Sequence, residues 1–306
     1  MDFMTSLNAV LIAILYMIPA FLLTKAKLTK PEHSKTLSAV LIYVSGPTMI
    51  INAFTEAEFT GETALSMLYF FVVTLVLQII VLGFLFLLFR KKFEMAKYRI
   101  LTMASVFGNV GFFGMPLIKS LLPGYPIAMC YSSMFMLSMN ILIFTMGVYC
   151  LTKEKKYISL KSAIVNPTFI TMIIAIPLFV FNIDLPYIID EACLGLSRLT
   201  MPLCMIILGI RLASVDLKNL FTRPFIYIAA LNKLVVFPLF CYFAVYFLPF
   251  DYVFKASILI LCCAPCAAVI LTLAEVHEKE TELAANCIII TTILSVLTIP
   301  LVLLIL

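Results

Sequence analysis

Long apolar runs alternate along the chain with short connections that carry charge or Pro/Gly turns. Ten such runs lie at roughly 6–24, 36–54, 64–89, 98–121, 125–151, 167–183, 190–212, 224–248, 254–274 and 284–306. At about 1.5 Å per helical residue, each is long enough to cross a hydrocarbon core about 30 Å thick. The pattern predicts an all-α polytopic membrane protein with ten transmembrane helices. One run is unusual. Residues 102–118, TMASVFGNVGFFGMPLI, hold Gly108, Asn109, Gly111, Gly114 and Pro116 within nine residues, all residue types that weaken a helix.

Composition supports the membrane class: 64% of the 306 residues are hydrophobic, 12% are charged, and the mean hydropathy is +1.15. A soluble domain of this length needs far more polar surface. No connection exceeds about a dozen residues, which leaves no room for a soluble domain. The start, MDFMTSLNAVLIAILYMIPAFLL, has Asp2 and no basic segment, so it reads as a first span and not as a cleaved signal. Charge sets the orientation. Connections after odd-numbered spans hold seventeen Lys and Arg, including Lys25, Lys91, Lys153, Lys161, Lys218 and Arg223, against Lys119 and Lys255 on the opposite side. The positive-inside rule then puts both termini outside.

The chain also echoes itself. Mid-helix Pro47 in span 2 and Pro202 in span 7 are 155 residues apart, and the same offset carries Asn109 and Val110 onto Ala264 and Pro265 in LCCAPCAAVILT. Five spans separate each pair, so the halves have opposite topology, as in transporters built from inverted repeats. Asn109 lies about ten residues beyond Arg99, roughly 15 Å deep, and Pro265 lies equally far from Lys255 on the other side. Non-helical backbone at that depth is tolerated only where protein or a wet cavity satisfies it. Two breaks at one depth predict broken helices that face each other. Their free N–H groups and positive half-helix ends would attract an anion, and glycine lets a ligand approach the backbone. For either segment alone, a glycine-lined packing face with a proline kink is an equally good reading. The matched pair favours a binding site.

All sixteen acidic residues fall outside the spans or at their edges, which argues against a carboxylate-based ion antiporter. Lys233 lies about 15 Å deep and is the candidate buried cation of a site; Arg198 is nearer an interface and can snorkel. Asn140, Gln78 and Asn52 are further buried polar groups, and Asn140 is expected beside the cavity. The CAPC stretch, Cys263 to Cys266, matches a redox spacing, but its place in a span reads better as small residues at a helix crossing. No disulfide framework is inferred, and no metal site or cofactor is expected. His33 and His277 fall in connections, and EVHEKETE at 275–282 reads as a solvated acidic loop.

GNVGFFGMPLI resembles the fourth-span motif of the auxin efflux carrier family. MPLCMIILGIRLA (201–213), NKLVVFPL (232–239), CAPCAAVILTLAEVH and ILSVLTIPLVLL resemble its seventh, eighth, ninth and tenth spans, in order across the whole chain. The resemblance implies two inverted five-helix repeats, 1–151 and 152–306, with crossed and broken helices 4 and 9, as in bile-acid–sodium symporters. It implies a scaffold from 1–54 and 167–212, often a dimer interface, and a mobile transport domain from 64–151 and 224–306. Asn109 matches the family's crossover asparagine and Pro265 its ninth-span proline. Three departures point from the plant auxin exporters toward the bacterial malate or malonate permeases, in the inner membrane. Gly108 stands where plant carriers have proline, Leu75 where they have aspartate, and the loop TKEKKYISLKSAIVN is short.

The expected function is a secondary transporter of small organic anions such as mono- or dicarboxylates, working by an elevator-type motion, with H+ or Na+ as coupling ion. Its substrate would meet Gly108, Asn109, Gly111, Gly114, Asn140, Lys233, Ala264, Pro265 and Cys266, with Pro116, Pro47, Pro202 and Gln78 shaping the crossing. The partners expected are that anion, the bilayer and a second copy of the chain through the scaffold, and no nucleic acid. Two alternatives are a sodium-coupled symporter of larger, bile-acid-like anions and a non-transporting sensor. An enzyme is disfavoured, since no H-E-x-x-H, G-x-S-x-G or paired intramembrane Asp is present.

Overall fold

The computed structural model describes residues 3–159, 161, 165–214 and 224–306; Asp2, Lys218 and Arg223, used above, lie outside them. The helices among the described residues are, in chain order, α1 (Phe3–Lys25), α2 (His33–Thr55), α3 (Gly61–Lys92), α4 (Ala96–Val106), α5 (Val110–Leu121), α6 (Ile127–Thr152), α7 (Pro167–Val180), α8 (Tyr187–Ser214), α9 (Pro224–Tyr246), α10 (Tyr252–Cys262), α11 (Val269–Val276) and α12 (Thr281–Leu303). Seven of these, α1, α2, α3, α6, α8, α9 and α12, are long and apolar enough to cross a membrane. Large exposed apolar side chains such as Leu15, Leu87, Ile173 and Phe243 cover outer faces that suit lipid. The protein is integral to the membrane.

Two of the sequence-predicted spans are each split in two. The run at 98–121 becomes α4 and α5, and the run at 254–274 becomes α10 and α11.

Local chemistry sets several helix starts. Thr60 and Thr63 form a reciprocal cap on α3. Asp251 Oδ1 accepts from Phe254 N–H at 2.7 Å at the start of α10. Asn166 Oδ1 accepts from Thr168 N–H at 2.9 Å, with Pro167 pre-set at the first helical position of α7. Three π-helical turns, Leu41–Ser45, Val110–Gly114 and Asn232–Val236, each end just before a proline, namely Pro47, Pro116 and Pro238. Proline lacks an N–H, and its ring crowds the carbonyl four residues back. The wider turn makes room for that carbonyl and rotates the helix beyond it.

Much of the packing falls into two groups: α1 lies against α8 and α2 against α7 and α8, while α3 lies against α6 and α9 against α10, α12 and α4; α1 also packs on α12, and α2 on α6, which joins the groups. Gly209 makes the first of these contacts possible, because a Cβ there would sit 2.3 Å from the Met17 carbonyl oxygen of α1. The α3–α6 contact is stitched by the stacked rings of Phe70 and Tyr131, by Ser66 to the Tyr131 hydroxyl, and by Gln78. α5 touches α1 and α8 from one side and α6 and α10 from the other, so the first broken span lies between the two groups.

Candidate functional site

The two chain breaks meet. Phe107 ends α4 in an extended conformation, and Gly108 pairs antiparallel with Cys266 in an isolated bridge. Asn109 N–H donates to Pro265 O at 2.7 Å and Ala267 N–H donates to Phe107 O at 3.0 Å. An unpaired backbone group costs several kcal/mol in hydrocarbon, and each break here supplies partners for the other. The fused joint is held from outside as well. Cys266 N–H donates to Thr291 Oγ1 at 3.0 Å, and Cys266 Sγ donates to Ala104 O at 3.0 Å. Glycine is needed at 108, where a Cβ would lie 2.9 Å from Lys233 Nζ and 3.2 Å from Ala264 O.

Beside this joint is a cavity of about 190 Å3. Gly108, Asn109, Gly111 and Asn140 line it, and among the described residues no Asp or Glu does. Three helix starts converge on it: Val110 to Phe112 of α5, Asn166 to Thr168 at α7, and Ala267 to Val269 at α11. The first N–H groups of a helix have no intrahelical partner, and the helix dipole makes that end positive. At α7, however, Pro167 has no N–H and Asn166 Oδ1 takes the Thr168 N–H, and at α11 Phe107 O takes the Ala267 N–H, so what the three ends share is the positive sign of the helix dipole. The remaining wall is soft and apolar, from Met136, Met139 and Phe144. Phe144 lies in a fourth π-helical turn, Ile143–Gly147, that has no proline after it.

The sequence-predicted residues are not all gathered there. Lys233 is 1% exposed and does not line the cavity. Its Nζ donates to the Cys262 carbonyl at 2.8 Å and lies 4.7 Å from the centre of the Phe237 ring. It caps the last turn of α10, a place where cations suit the negative helix end. Ala264, Pro265 and Cys266 form the joint but not the cavity wall, which passes to Ala267, Ala268 and Val269. Gly114 packs on Leu261 and Ala264. Gln78 Nε2 donates to Thr74 O and to Ser138 Oγ, both at 3.0 Å, so it ties α3 to α6. Pro116 and Pro202 face a different hollow, and Pro47 follows its π turn in α2.

The side chain of Asn109 spans the two packing groups, with its Nδ2 donating to Cys204 Sγ of α8 at 3.3 Å. A neighbouring hollow of about 450 Å3, which shares Phe144, Asn166 and Pro167 with the cavity, leads to Lys161.

A family profile described as membrane transport protein matches residues 5–303. The chain belongs to the membrane transport protein family. This is the auxin efflux carrier family of the sequence resemblance. Over 304 residues the chain is 26% identical to an uncharacterized transporter of Methanocaldococcus jannaschii, covering 97% of this chain and 98% of that one. As a member of the membrane transport protein family it is a transporter and not an enzyme. The wall residues that sequence reasoning missed in this transporter include Phe112, Met136, Met139, Phe144, the start of α7 at Asn166 to Thr168, and the start of α11 at Ala267 to Val269. The Asn166-Pro167 pair was a readable helix-start signal. What could not be read was that α7 would point its start at the crossing.

Proposed function

We propose that this membrane transport protein is a secondary transporter of small organic anions, mono- or dicarboxylates, which bind in the cavity beside the crossing of the broken spans. The observation that carries the reading is that three helix starts line a cavity of about 190 Å3 in whose wall, among the described residues, there is no Asp or Glu. The size of the cavity favours a small anion over the bile-acid-like alternative. Pockets for drug-sized ligands run roughly 300–1,000 Å3, and this one falls below that range.

The ten spans form two inverted repeats, 1–151 and 152–306. Two hydrogen bonds support this. Thr200 Oγ1 donates to Ser45 O at 3.0 Å across a separation of 155 residues, the repeat offset itself. Asn109 N–H to Pro265 O falls within one residue of the same offset. Contacts between repeat-equivalent positions are what a pseudo-two-fold axis produces. The chain divides into a scaffold (1–54 and 167–212) and a transport domain (64–151 and 224–306); the α1–α8, α2–α7 and α3–α6 contacts support this division, the α1–α12 and α2–α6 contacts are where the two parts meet, and the cavity is lined from both. The transport domain carries the anion past the scaffold, breaking Asn109–Cys204 on the way. The scaffold pairs with that of a second copy. The protein lies in the plasma membrane with both termini outside, and H+ or Na+ drives the flux.

The test is uptake into proteoliposomes of malate, malonate, lactate and indole-acetate under separate proton and sodium gradients. Uptake of a carboxylate that Asn109→Ala abolishes is the expected result. Uptake that is indifferent to Asn109→Ala removes the site, and binding without flux of any of the four favours a sensor.

A further inference from the structure

The lysine-rich connections follow the odd-numbered spans, and the corner between α3 and α4, RKKFEMAKYR (90–99), is the most basic of them. Its one acid, Glu94, is bound by Lys153, and Arg99 is buried with its Nη1 on the Phe93 and Glu94 carbonyls. Arg90, Lys91, Lys92 and Lys97 are exposed, and among the described residues none of them has an ion pair. Lys92 Nζ lies 5.4 Å and Lys97 Nζ 5.6 Å from the centre of the Tyr98 ring, and Lys97 Nζ is also 5.5 Å from that of Phe225. Two ammonium groups gathered at one ring repel each other, and an anion between them removes the repulsion. Other basic connections lack this arrangement: Lys156 is paired with Glu154, and Lys25 meets Phe21 alone. Tyr98 is also the middle of a row of rings that joins three helices, 5.3 Å from Phe89 of α3 and 4.9 Å from Phe225 of α9. Beside that row the end of α3 exposes Phe84, Leu87 and Leu88, and the start of α9 exposes Ile228 and Leu231. In a membrane such faces meet acyl chains, and aromatic rings with lysines at their end mark the headgroup level. A soluble anion would use only the lysines, whereas a phospholipid uses both surfaces.

We infer that this corner is a binding site for an anionic phospholipid, whose phosphate lies between Lys92 and Lys97 and whose acyl chains lie along the exposed faces of α3 and α9. Arg90 and Lys91 add attraction at longer range. The site does not depend on which substrate the transporter carries. It has a structural consequence: α4 begins at this corner and ends at Phe107 in the crossing, so the lipid steadies one end of a helix whose other end belongs to the joint.

The experiment titrates the full-length protein, purified in a neutral detergent, with phosphatidylglycerol and with phosphatidylcholine, and reads thermal unfolding. A lysine near an anionic lipid surface is worth about fivefold in binding, so two are worth more than about tenfold. Phosphatidylglycerol is therefore expected to half-saturate the upward shift at a concentration at least about tenfold below that of phosphatidylcholine. Lys92→Gln combined with Lys97→Gln should erase that preference. Lys27→Gln combined with Lys30→Gln, which removes as much charge from the connection between α1 and α2, should keep it. Both variants exchange exposed side chains, so unfolding without added lipid should stay near wild type. Glycerol phosphate, the headgroup chemistry without acyl chains, should give no shift. Equal half-saturation by the two lipids, or a preference that survives in the Lys92 and Lys97 variant, overturns the site. An equal loss in the Lys27 and Lys30 variant reduces the effect to net charge and overturns it as well. A shift with glycerol phosphate as large as that with the lipid overturns the lipid as occupant in favour of a soluble phosphate.

Discussion

Gly111 faces Met136 on one side of the crossing, and Cys266 faces Thr291 on the other. Adding the 155-residue offset to the first pair gives the second. On the Gly111 side the methionine tip lies where a Cβ would be, 2.5 Å from Cε, and the space beyond is the cavity. On the Cys266 side the backbone N–H is taken by Thr291 and the thiol by Ala104. Positions 155 residues apart have been given opposite tasks by their side chains. A glycine beside a flexible thioether leaves a pocket, whereas a thiol and a β-branched hydroxyl close every valence and leave a joint. Binding should therefore respond to substitutions on the first side, and stability to those on the second.

The largest effect is expected at Lys233, on the joint side. Lys233→Ala strands the Cys262 carbonyl and empties a fully buried volume, a loss of about 3 kcal/mol or more. Lys233→Met refills the volume and should restore most of the thermal stability in detergent. If Lys233 instead served the ligand, Met would restore the melting temperature while flux stayed lost, and the division between joint and pocket would have to be redrawn.

Thr291→Val comes next. It keeps the shape but leaves Cys266 N–H without its acceptor, at a cost of about 1–3 kcal/mol. Thermal unfolding should fall, while the order of preference among carboxylates in the uptake assay should not change. A changed order would mean that the joint reaches the ligand after all.

How far these assignments could be read in the sequence follows from the physics of each residue. The break at 108–116 was legible because glycine and proline act locally, through lost side-chain constraint and a lost N–H. That the second break lies at the same depth was legible from distances to flanking charges. The direction of Lys233 was not. Depth and charge gave its place in the span, but they do not say which neighbour it meets; it sits in the π-helical turn Asn232–Val236 and reaches the end of α10. The α7 start was legible as a start, from Asn166 and Pro167, but not as part of a pocket, since only tertiary packing brings it to Gly111. Gln78 and Asn140 looked alike as buried amides. One spends its donors on α3 and α6, while the other lines the cavity.

Gly111→Ala sharpens the comparison from the pocket side. The added methyl meets the far end of a flexible side chain, so Met136 can swing into the cavity. Stability should change by less than about 1 kcal/mol, because the helical gain from alanine offsets part of the crowding. The displaced methionine occupies ligand space, and uptake should drop at least about tenfold, the factor that ~1.4 kcal/mol of lost binding gives. Normal uptake together with a lower melting temperature would reverse the roles of the two sides.

The smallest effect belongs to a contact outside the crossing, at the lysine-rich end. Glu94, in the corner between α3 and α4, is bound by Lys153 at the end of α6. The hydrogen bond from Lys153, and then its charge, hold the Glu94 carboxyl below its usual 4.5. A carboxyl whose folded-state value is depressed adds stability that is present above the unfolded value and disappears as pH falls through the folded one. Glu94→Gln should therefore lower the melting temperature slightly at pH 7, and the difference from wild type should vanish well below pH 4.5. The pair is exposed, so salt should also shrink the difference at pH 7. A gap that persists in acid and in high salt would mean that Glu94 acts by packing, through the corner whose Phe93 and Glu94 carbonyls both accept from Arg99 Nη1 at 2.9 Å. The stability side of the comparison would then extend beyond the joint to the loops that hold the ends of α3, α4 and α6.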